Sequence, residues 1–249
     1  MKAMVLAAGL GTRLRPLTND RPKALVELNG RTLLQITLER LKSFGIVEVI
    51  VNAHHFAGSL IDYLAANDNF GMEIAISRED VLLDTGGGLK YATWFFKHSA
   101  EPFILHNVDV VSDIDFARMI AFHNSNSALA TLAVQPRDSS RYLLFDYDNE
   151  LVGRRIKNSL PEIARPSEHL HPFAFCGIHI ISPRLLDLIT EEGVFSIIPS
   201  YLRLAAAREK IVAFRADEYY WRDLGTPEHL AQAAKEIGAA TEKRAKGTL

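Results

Sequence analysis

The residues best suited to chemistry lie near the start of the chain. A short apolar run at residues 3–7 ends in a loop that contains Gly9 and Gly11, and Arg13 and Lys23 follow it. Glycines let a backbone turn tightly and bring its N–H groups close to a ligand. Clustered amide donors bind phosphate oxygens, and Arg and Lys side chains add fixed positive charge. The segment therefore predicts a phosphate-binding loop after the first strand.

Two familiar phosphate-binding motifs do not fit this loop. The Walker A motif requires Gly-Lys followed by Ser or Thr, and that sequence is absent. The dinucleotide-binding motif requires a third glycine where this chain has Leu14, which disfavours an NAD-dependent oxidoreductase. A plain turn would explain the two glycines, but it would leave Thr12 and the basic residues unexplained.

The opening letters also resemble a known family signature. The run LAAGLGTRL from Leu6 to Leu14, followed by Pro22-Lys23-Ala24-Leu25, resembles the signature of the sugar-phosphate nucleotidyltransferases. The resemblance implies that the glycine loop wraps the nucleotide phosphates, with Arg13, Lys23 and Asp109 as the catalytic residues. The nucleotide-binding residues that it implies are Leu6, Ala7, Ala8, Gly9, Gly11, Thr12, Arg13, Lys23, Asn52, Thr85, Gly86 and Asn107.

Later segments extend the resemblance over nearly the whole chain. The run LDTGGGL at residues 83–89 looks like the family segment whose backbone reads the edge of the base. Because glycine weakens a helix, we expect its glycines to permit the close approach of a ligand. Gly177, inside a predicted strand, is implied to let the sugar approach the backbone. The role of Glu79, just before the glycine segment, stays open.

Two distant carboxylates resemble the family's metal ligands. Asn107-Val108-Asp109 is similar to its Asn-x-Asp motif, although Val108 replaces a residue that is usually small. The motif WRDLGTP at residues 221–227 supplies Asp223. Two carboxylates with substrate phosphates are typical of Mg²⁺ sites, so we expect Mg²⁺ on Asp109 and Asp223. A second Asp-x-Asp pair ends at Asp115, which we interpret as the cap of a helix.

Short apolar runs alternate with amphipathic helical patterns along the chain. The predicted strands are residues 3–7, 48–51, 73–77, 102–105, 129–134, 173–181 and 211–215, with a hairpin at 141–158 that turns at Asp148-Asn149. The predicted helices are residues 32–44, 57–66, 88–96, 114–124, 183–190, 197–208 and 227–245, and residues 160–172 are expected to form a loop. The rhythm predicts an α/β fold with an open, mostly parallel sheet.

The resemblance makes this fold more specific. It implies a Rossmann-like, three-layer α/β/α domain of the GT-A-like nucleotide-diphospho-sugar transferase type over residues 1–249. Within that domain we expect the nucleotide-binding part at about 1–110, the sugar-binding part at about 111–226 and a C-terminal helix at 227–245. We expect the tail at 242–249 to be frayed.

Composition excludes several other classes of protein. The chain is 48% hydrophobic and 23% charged, with a formal net charge of −2, so neither nucleic acid nor a membrane is expected as a partner. One cysteine, Cys176, rules out a disulfide within the chain and fits a reducing cytoplasm. The apolar run near Met1 is too short for a signal peptide.

The predicted reaction is in-line displacement at the α-phosphorus of an NTP by a sugar 1-phosphate, which releases pyrophosphate. Length and the segments at 83–88 and 113–117 look most like the compact N-acetylmuramate 1-phosphate uridylyltransferases. The Asn-x-Asp-Val segment is shared with the mannose 1-phosphate guanylyltransferases, so GTP with mannose 1-phosphate or another hexose 1-phosphate stays open. A non-catalytic regulatory protein that binds nucleotide sugars is the alternative of another class. The oligomeric state is left open.

Overall fold

The computed structural model describes residues 1–245 and shows strands and helices alternating along the chain. The strands are β1 Lys2–Leu6, β2 Glu27–Leu28, β3 Arg31–Thr32, β4 Glu48–Ala53, β5 Glu73–Arg78, β6 Phe103–Asn107, β7 Val110–Ser112, β8 Ala130–Gln135, β9 Arg141–Phe145, β10 Leu151–Ile156, β11 Glu162–Ile163, β12 His171–Ile181, β13 Ile211–Arg215 and β14 Trp221–Asp223. The helices are α1 Leu33–Ser43, α2 Ala57–Ala66, α3 Asp84–Tyr91, α4 Thr93–Phe96, α5 Phe116–Ser125, α6 Arg184–Leu188, α7 Ile197–Ala206 and α8 Pro227–Ala245.

The central sheet is mixed and mostly parallel, as predicted. Its strands lie in the order β5-β4-β1-β6-β12-β8-β13, and β12 runs antiparallel to both of its neighbours in the middle of the sheet. Both faces are covered by helices. Within β1, Ala3 and Val5 pack into the cluster with α1, α2, α5 and α8, while Met4 packs into the cluster with α3, α4, α6 and α7. This two-sided burial explains why β1 is a continuous apolar run.

A smaller antiparallel extension grows from the start of β12. His171–Phe173 pairs with β9, β9 pairs with β10, and β10 pairs with β11. The predicted hairpin is confirmed, and Asn149 at its turn has a positive φ of 59°. The expected loop at 160–172 is wrong in part, because it contains β11 and the first residues of β12. Glycine at position 153 permits this pairing, since a Cβ there would lie 2.5 Å from the Glu162 carbonyl oxygen.

The glycine-rich helix begins earlier than its pattern predicts. The expected helix at 88–96 is two helices, α3 and α4, and α3 starts at Asp84. A Cβ at Gly86 would lie 2.3 Å from Cε2 of Phe195, and one at Gly87 would lie 2.3 Å from the carbonyl oxygen of Gly193. Close packing of α3 against residues 193–197 therefore outweighs the low helix propensity of glycine.

We expect Gly87→Ala to destabilise the fold. The new methyl group would meet backbone rather than a movable side chain, which costs about 1–3 kcal/mol in a packed region. The matched control is Gly58→Ala in α2, where a Cβ has nothing within 4 Å. Urea unfolding should show a lower free energy of unfolding for the first variant and an equal or higher one for the second. Equal effects of the two changes would contradict the packing argument.

The C-terminal helix is confirmed to Ala245, where the description ends. The expected fraying of residues 242–249 falls partly on residues 246–249, which lie outside the described range. Among the residues that the structure describes, no helix is long and apolar enough to cross a bilayer. Cys176 is fully buried as a small hydrophobic side chain, and burial raises the pKa of its thiol to about 12.

Buried histidines make the stability of the fold sensitive to acid. His179 is 1% exposed, its Nδ1 lies 2.8 Å from the Tyr201 hydroxyl, and burial lowers its pKa to about 3, with His106 adding to the shift. The unfolded chain therefore binds protons below pH 6.5 that the folded chain does not. The resulting loss in the free energy of unfolding is absent above pH 6.5. It grows as the pH falls toward the pKa of His179 in the folded chain.

We accordingly expect the free energy of unfolding to fall by about 2 kcal/mol between pH 7 and pH 5 through His179 alone. His179→Asn should remove that part of the slope, whatever its effect at pH 7. His98→Asn, at an exposed position, is the control and should keep the wild-type slope. Urea unfolding at both pH values measures the difference. Parallel slopes for all three proteins would show that His179 does not carry the effect.

Candidate active site

The carboxyl ends of neighbouring parallel strands meet at one edge of the sheet. Leu6 pairs in register with Asn52 on β4 and with Asn107 on β6, so the loops after these strands lie side by side. A cavity of about 440 Å³ opens there. It is lined by Leu6, Ala8, Gly9, Arg13, Lys23, Asn52, Glu79, Leu82, Asp84, Thr85, Asn107, Asp109, Val194 and Asp223. Most residues of the predicted site therefore share one cavity, while Ala7, Gly11, Thr12, Gly86 and Gly177 are not among those lining it.

Gly11 and Gly9 have different roles in the glycine loop. Gly11 has a φ of 63°, and a Cβ there would lie 2.9 Å from Cγ2 of Thr18. The Thr18 hydroxyl donates a hydrogen bond of 2.8 Å to the Gly11 carbonyl, which fixes the turn. Gly9 has nothing within 4 Å of an added Cβ and lines the cavity. Gly11 thus shapes the loop, and Gly9 leaves backbone open toward a ligand.

Asn52 lies beneath the glycine loop and holds its backbone. Its Oδ1 accepts hydrogen bonds from the backbone amides of Ala7 at 2.6 Å and Ala8 at 3.2 Å. Its Nδ2 donates to Oε1 of Glu79 at 2.7 Å, and Oε2 of Glu79 accepts from the Leu83 amide at 2.9 Å. Asn52 and Glu79 are each 3% exposed. This relay joins the glycine loop to the segment that begins α3, and it fixes which way the Asn52 amide faces.

Sequence analysis left Glu79 without a role. The signal that could have found it is its position just after β5, at the edge of the sheet where the loops of β1 and β4 also lie. A carboxylate at such an edge is buried only when donors satisfy it, and here both oxygens have donors.

The glycine segment at 85–87 packs against residues 195–197 of the same chain. The Gly86 and Gly87 amides both donate to the Phe195 carbonyl, at 2.9 and 3.1 Å, and the Thr85 hydroxyl accepts from the Ile197 amide at 3.0 Å. Packing against residues 193–197 is therefore one reason for these glycines, and the expected approach of a ligand stays a prediction. Thr85 does line the cavity. Nucleotide binding by Gly86 stays a prediction, and its amide is already engaged.

A two-stranded ladder brings the two predicted metal carboxylates together. Asp223 on β14 pairs in register with Val110, the residue after Asp109, and the Leu224 amide donates to the Asp109 carbonyl at 2.7 Å. Asp109 forms an ion pair with Lys23, and these side chains are 10% and 16% exposed. Oδ1 of Asp223 accepts from the Gly225 amide at 2.8 Å. The structure thus places residues from three distant segments at one point.

Val108, where the family motif usually has a small residue, packs into the hydrophobic core. It is 2% exposed and packs in the hydrophobic cluster that contains Leu14 and Leu224. The Asp109 side chain lines the cavity. The apolar residue therefore anchors this turn in the core while the aspartate faces the site.

Gly177 makes room for a side chain of the site. It has a φ of 74° at the irregularity in β12, and a Cβ there would lie 2.8 Å from Nδ2 of Asn107. The glycine is therefore required by its backbone conformation and by the position of Asn107. Contact between Gly177 and a sugar stays a prediction.

Asp109 and Asp223 suit a metal ion whose remaining ligands come from the substrate. In the described part of the chain, no group of three or more His, Cys, Asp or Glu residues could hold a metal by itself. Asp109 and Asp223 offer hard oxygen ligands on the rim of a cavity that also presents Arg13. Mg²⁺ is commonly bound by one or two carboxylates together with substrate phosphates, and this donor set fits that pattern.

Known proteins share the sequence family and the fold of this chain. The chain matches the model of the nucleotidyl transferase family over residues 2–240. It is 32% identical over 249 residues to the N-acetylmuramate alpha-1-phosphate uridylyltransferase of Caulobacter vibrioides, covering 96% of this chain and 97% of that protein. It is 31% identical over 230 residues to the mannose-1-phosphate guanyltransferase of Yarrowia lipolytica, covering 91% of this chain but only 61% of that longer protein.

A solved structure shows the shared fold. The crystal structure of HddC from Yersinia pseudotuberculosis complexed with GMP-PN superposes with a TM-score of 0.74 at 23% identity, covering 95% of this chain and 99% of that chain. From the family match and these relatives, the chain belongs to the nucleotidyl transferase family. It is an enzyme, a sugar-phosphate nucleotidyltransferase.

Proposed function

We propose that this enzyme transfers uridine monophosphate from UTP to N-acetylmuramate 1-phosphate, giving the nucleotide sugar and pyrophosphate with the help of Mg²⁺. The observation that carries the reaction class is the convergence of Arg13, Lys23, Asp109 and Asp223 on one cavity. The choice of substrates is supported by the relative from Caulobacter vibrioides, which matches this chain over nearly the full length of both proteins.

The reaction needs charge neutralisation and alignment more than acid–base chemistry. A phosphate oxygen of the sugar 1-phosphate is already anionic at neutral pH, so the site requires no strong base. Arg13 and the open amides near Gly9 would hold the β- and γ-phosphates of the leaving pyrophosphate. Lys23 would stabilise charge on the α-phosphoryl group as a point charge.

Asp109 and Asp223 would hold the Mg²⁺ ion. When bound, the ion would neutralise the phosphate oxygens and orient the two substrates for in-line displacement. Lys23 forms an ion pair with Asp109, so its ammonium group lies beside a carboxylate that would hold the ion.

One alternative pair of substrates competes with this proposal. GTP with mannose 1-phosphate is favoured by the similarity to the guanyltransferase of Yarrowia lipolytica, although the chain spans only 61% of that protein. The other alternative, a regulatory protein that binds nucleotide sugars without turnover, is set aside because the chain belongs to a family of enzymes and the basic residues and both carboxylates line the cavity.

A matrix of the four NTPs against a panel of sugar 1-phosphates, scored by pyrophosphate release, tests the proposal. We expect the highest kcat/KM for UTP with N-acetylmuramate 1-phosphate. The highest value for GTP with mannose 1-phosphate would replace the proposed substrates. EDTA should abolish turnover, and added Mg²⁺ should restore it.

A further inference from the structure

A second cavity adjoins the candidate active site. It has a volume of about 540 Å³ and lies between the hairpin β9–β10 and the first turn of α7. Its lining residues are Ser139, Ser140, Arg141, Tyr142, Leu143, Arg154, Arg155, Ile156, Phe175, Ser196, Ile198 and Asp223. Asp223 also lines the first cavity, so the two cavities meet at a carboxylate of the candidate active site.

The strand register puts two arginines on the same face of the hairpin. Arg141 pairs with Ile156, and Leu143 pairs with Arg154. Residues two positions apart on a strand share a face, so Arg141 and Arg154 are diagonal neighbours across the ladder. Leu143, between them, packs in the same buried cluster as Ile197 of α7. Both arginines therefore lie on the face of the hairpin that looks toward α7 and the cavity.

The charge of this wall is only partly neutralised. Nε of Arg154 donates to Glu162 at 2.6 Å, and the Glu162 side chain is 57% exposed and does not line the cavity. The Arg141 side chain has no ion pair with any residue whose side chain is described. Asp223 supplies the sole carboxylate among the lining residues. Like charges on paired strands repel one another, and an anion bound between the two arginines would offset that repulsion.

We infer that the second cavity holds the sugar, and that Arg141 and Arg154 bind a carboxylate carried by its ring. The inference rests on the proposed function and names the substrate class as an acidic sugar 1-phosphate. The 1-phosphate lies toward Asp223, and the ring extends along the hairpin. Guanidinium groups match the planar shape of a carboxylate and bind it through paired hydrogen bonds. A neutral hexose 1-phosphate would leave Arg141 without an anionic partner and Arg154 with Glu162 alone.

The test compares two substrates that differ only in the lactyl group, which carries the carboxylate. N-acetylmuramate 1-phosphate carries a lactyl carboxylate that N-acetylglucosamine 1-phosphate lacks. We expect Arg141→Gln and Arg154→Gln each to raise KM about 10- to 100-fold for the acidic sugar, with kcat nearly unchanged. KM for the neutral sugar should change less than about threefold. Arg184→Gln, whose side chain pairs with Glu209 outside the cavity, is the control.

Further variants separate binding from folding. Glu162→Gln removes the carboxylate that competes for Arg154, and it should lower KM for the acidic sugar while the hairpin keeps a hydrogen-bonding side chain there. Arg154→Lys keeps the charge but loses the planar fork, so it should recover only part of the lost affinity. Thermal unfolding of each variant reports whether the fold is intact.

The outcomes distinguish this inference from the proposed function. Equal losses for the acidic and the neutral sugar, or no loss for either, would overturn the role of the arginines while leaving the reaction intact. A wild-type preference for a neutral sugar 1-phosphate would overturn the acidic class together with the proposed substrate. Calorimetric titration with N-acetylmuramate 1-phosphate and inert UTP analogue gives the same comparison without turnover.

Discussion

Asp109→Asn is expected to lower kcat/KM on the order of 10³-fold while the protein stays folded. The variant keeps the size of the side chain but removes the charge that would bind Mg²⁺. It also leaves Lys23, which is 16% exposed, without its carboxylate partner. Pyrophosphate release measured over a range of Mg²⁺ concentrations should show both a lower maximum rate and a higher Mg²⁺ requirement.

Asp115→Asn is the matched control for this experiment. Asp115 caps α5, where its side chain accepts a hydrogen bond from the Arg118 amide at 3.0 Å, as sequence analysis predicted. Asn caps helices as well as Asp, so this variant should keep wild-type activity and stability. If Asp109→Asn stayed within a few fold of wild type, the assignment of Asp109 would be wrong. A large loss at Asp115 would instead favour the Asp-x-Asp pair as the metal site.

The second large effect is expected in the relay beneath the glycine loop. Glu79→Gln places an NH₂ group against either Nδ2 of Asn52 or the Leu83 amide, whichever way it turns. Asn52→Asp sets a carboxylate against Glu79 at a site where the present hydrogen bond is 2.7 Å. Each change leaves buried groups unsatisfied at a cost of about 1–3 kcal/mol. We expect each to lower kcat/KM for the NTP roughly 10- to 100-fold, because the oxygen that accepts from the loop amides is no longer held in place.

Combining the two changes should restore the loop. In Asn52→Asp with Glu79→Gln, the Gln NH₂ can donate to the new carboxylate, and its oxygen can still accept from Leu83. The Ala7 and Ala8 amides keep an acceptor as well. We expect the double variant to recover most of the activity and stability that the single variants lose. Additive losses would show that the relay does not position the loop.

Much of the fold followed from local patterns. The buried strands, the amphipathic helices and the hairpin at Asn149 could be predicted because side-chain periodicity reports which face of an element is covered. The short strands β11 and β14 could not, since two or three residues carry no clear periodicity and each strand is defined by its pairing with another. The start of α3 was missed for a related reason. Its glycines have a low helix propensity, and the helix is explained only by their packing against Phe195 and Gly193.

The candidate site likewise has features that the sequence predicts and features that only the structure shows. The glycine loop after β1 and the anionic ligand that it suits could be inferred from residue types alone. The choice of Asp109 and Asp223 over Asp115 as metal ligands came from the resemblance to the family and stays a prediction. Spacing along the sequence does not show which distant side chains contact one another. The Lys23–Asp109 ion pair, the Asn52–Glu79 relay and the two arginines of the hairpin emerged from strand register and burial, because only these set the distance between side chains. The sequence alone therefore determined the class of chemistry and most of the residues available for it. The tertiary structure decided which of them meet, because close packing and register bring segments together that the chain keeps far apart.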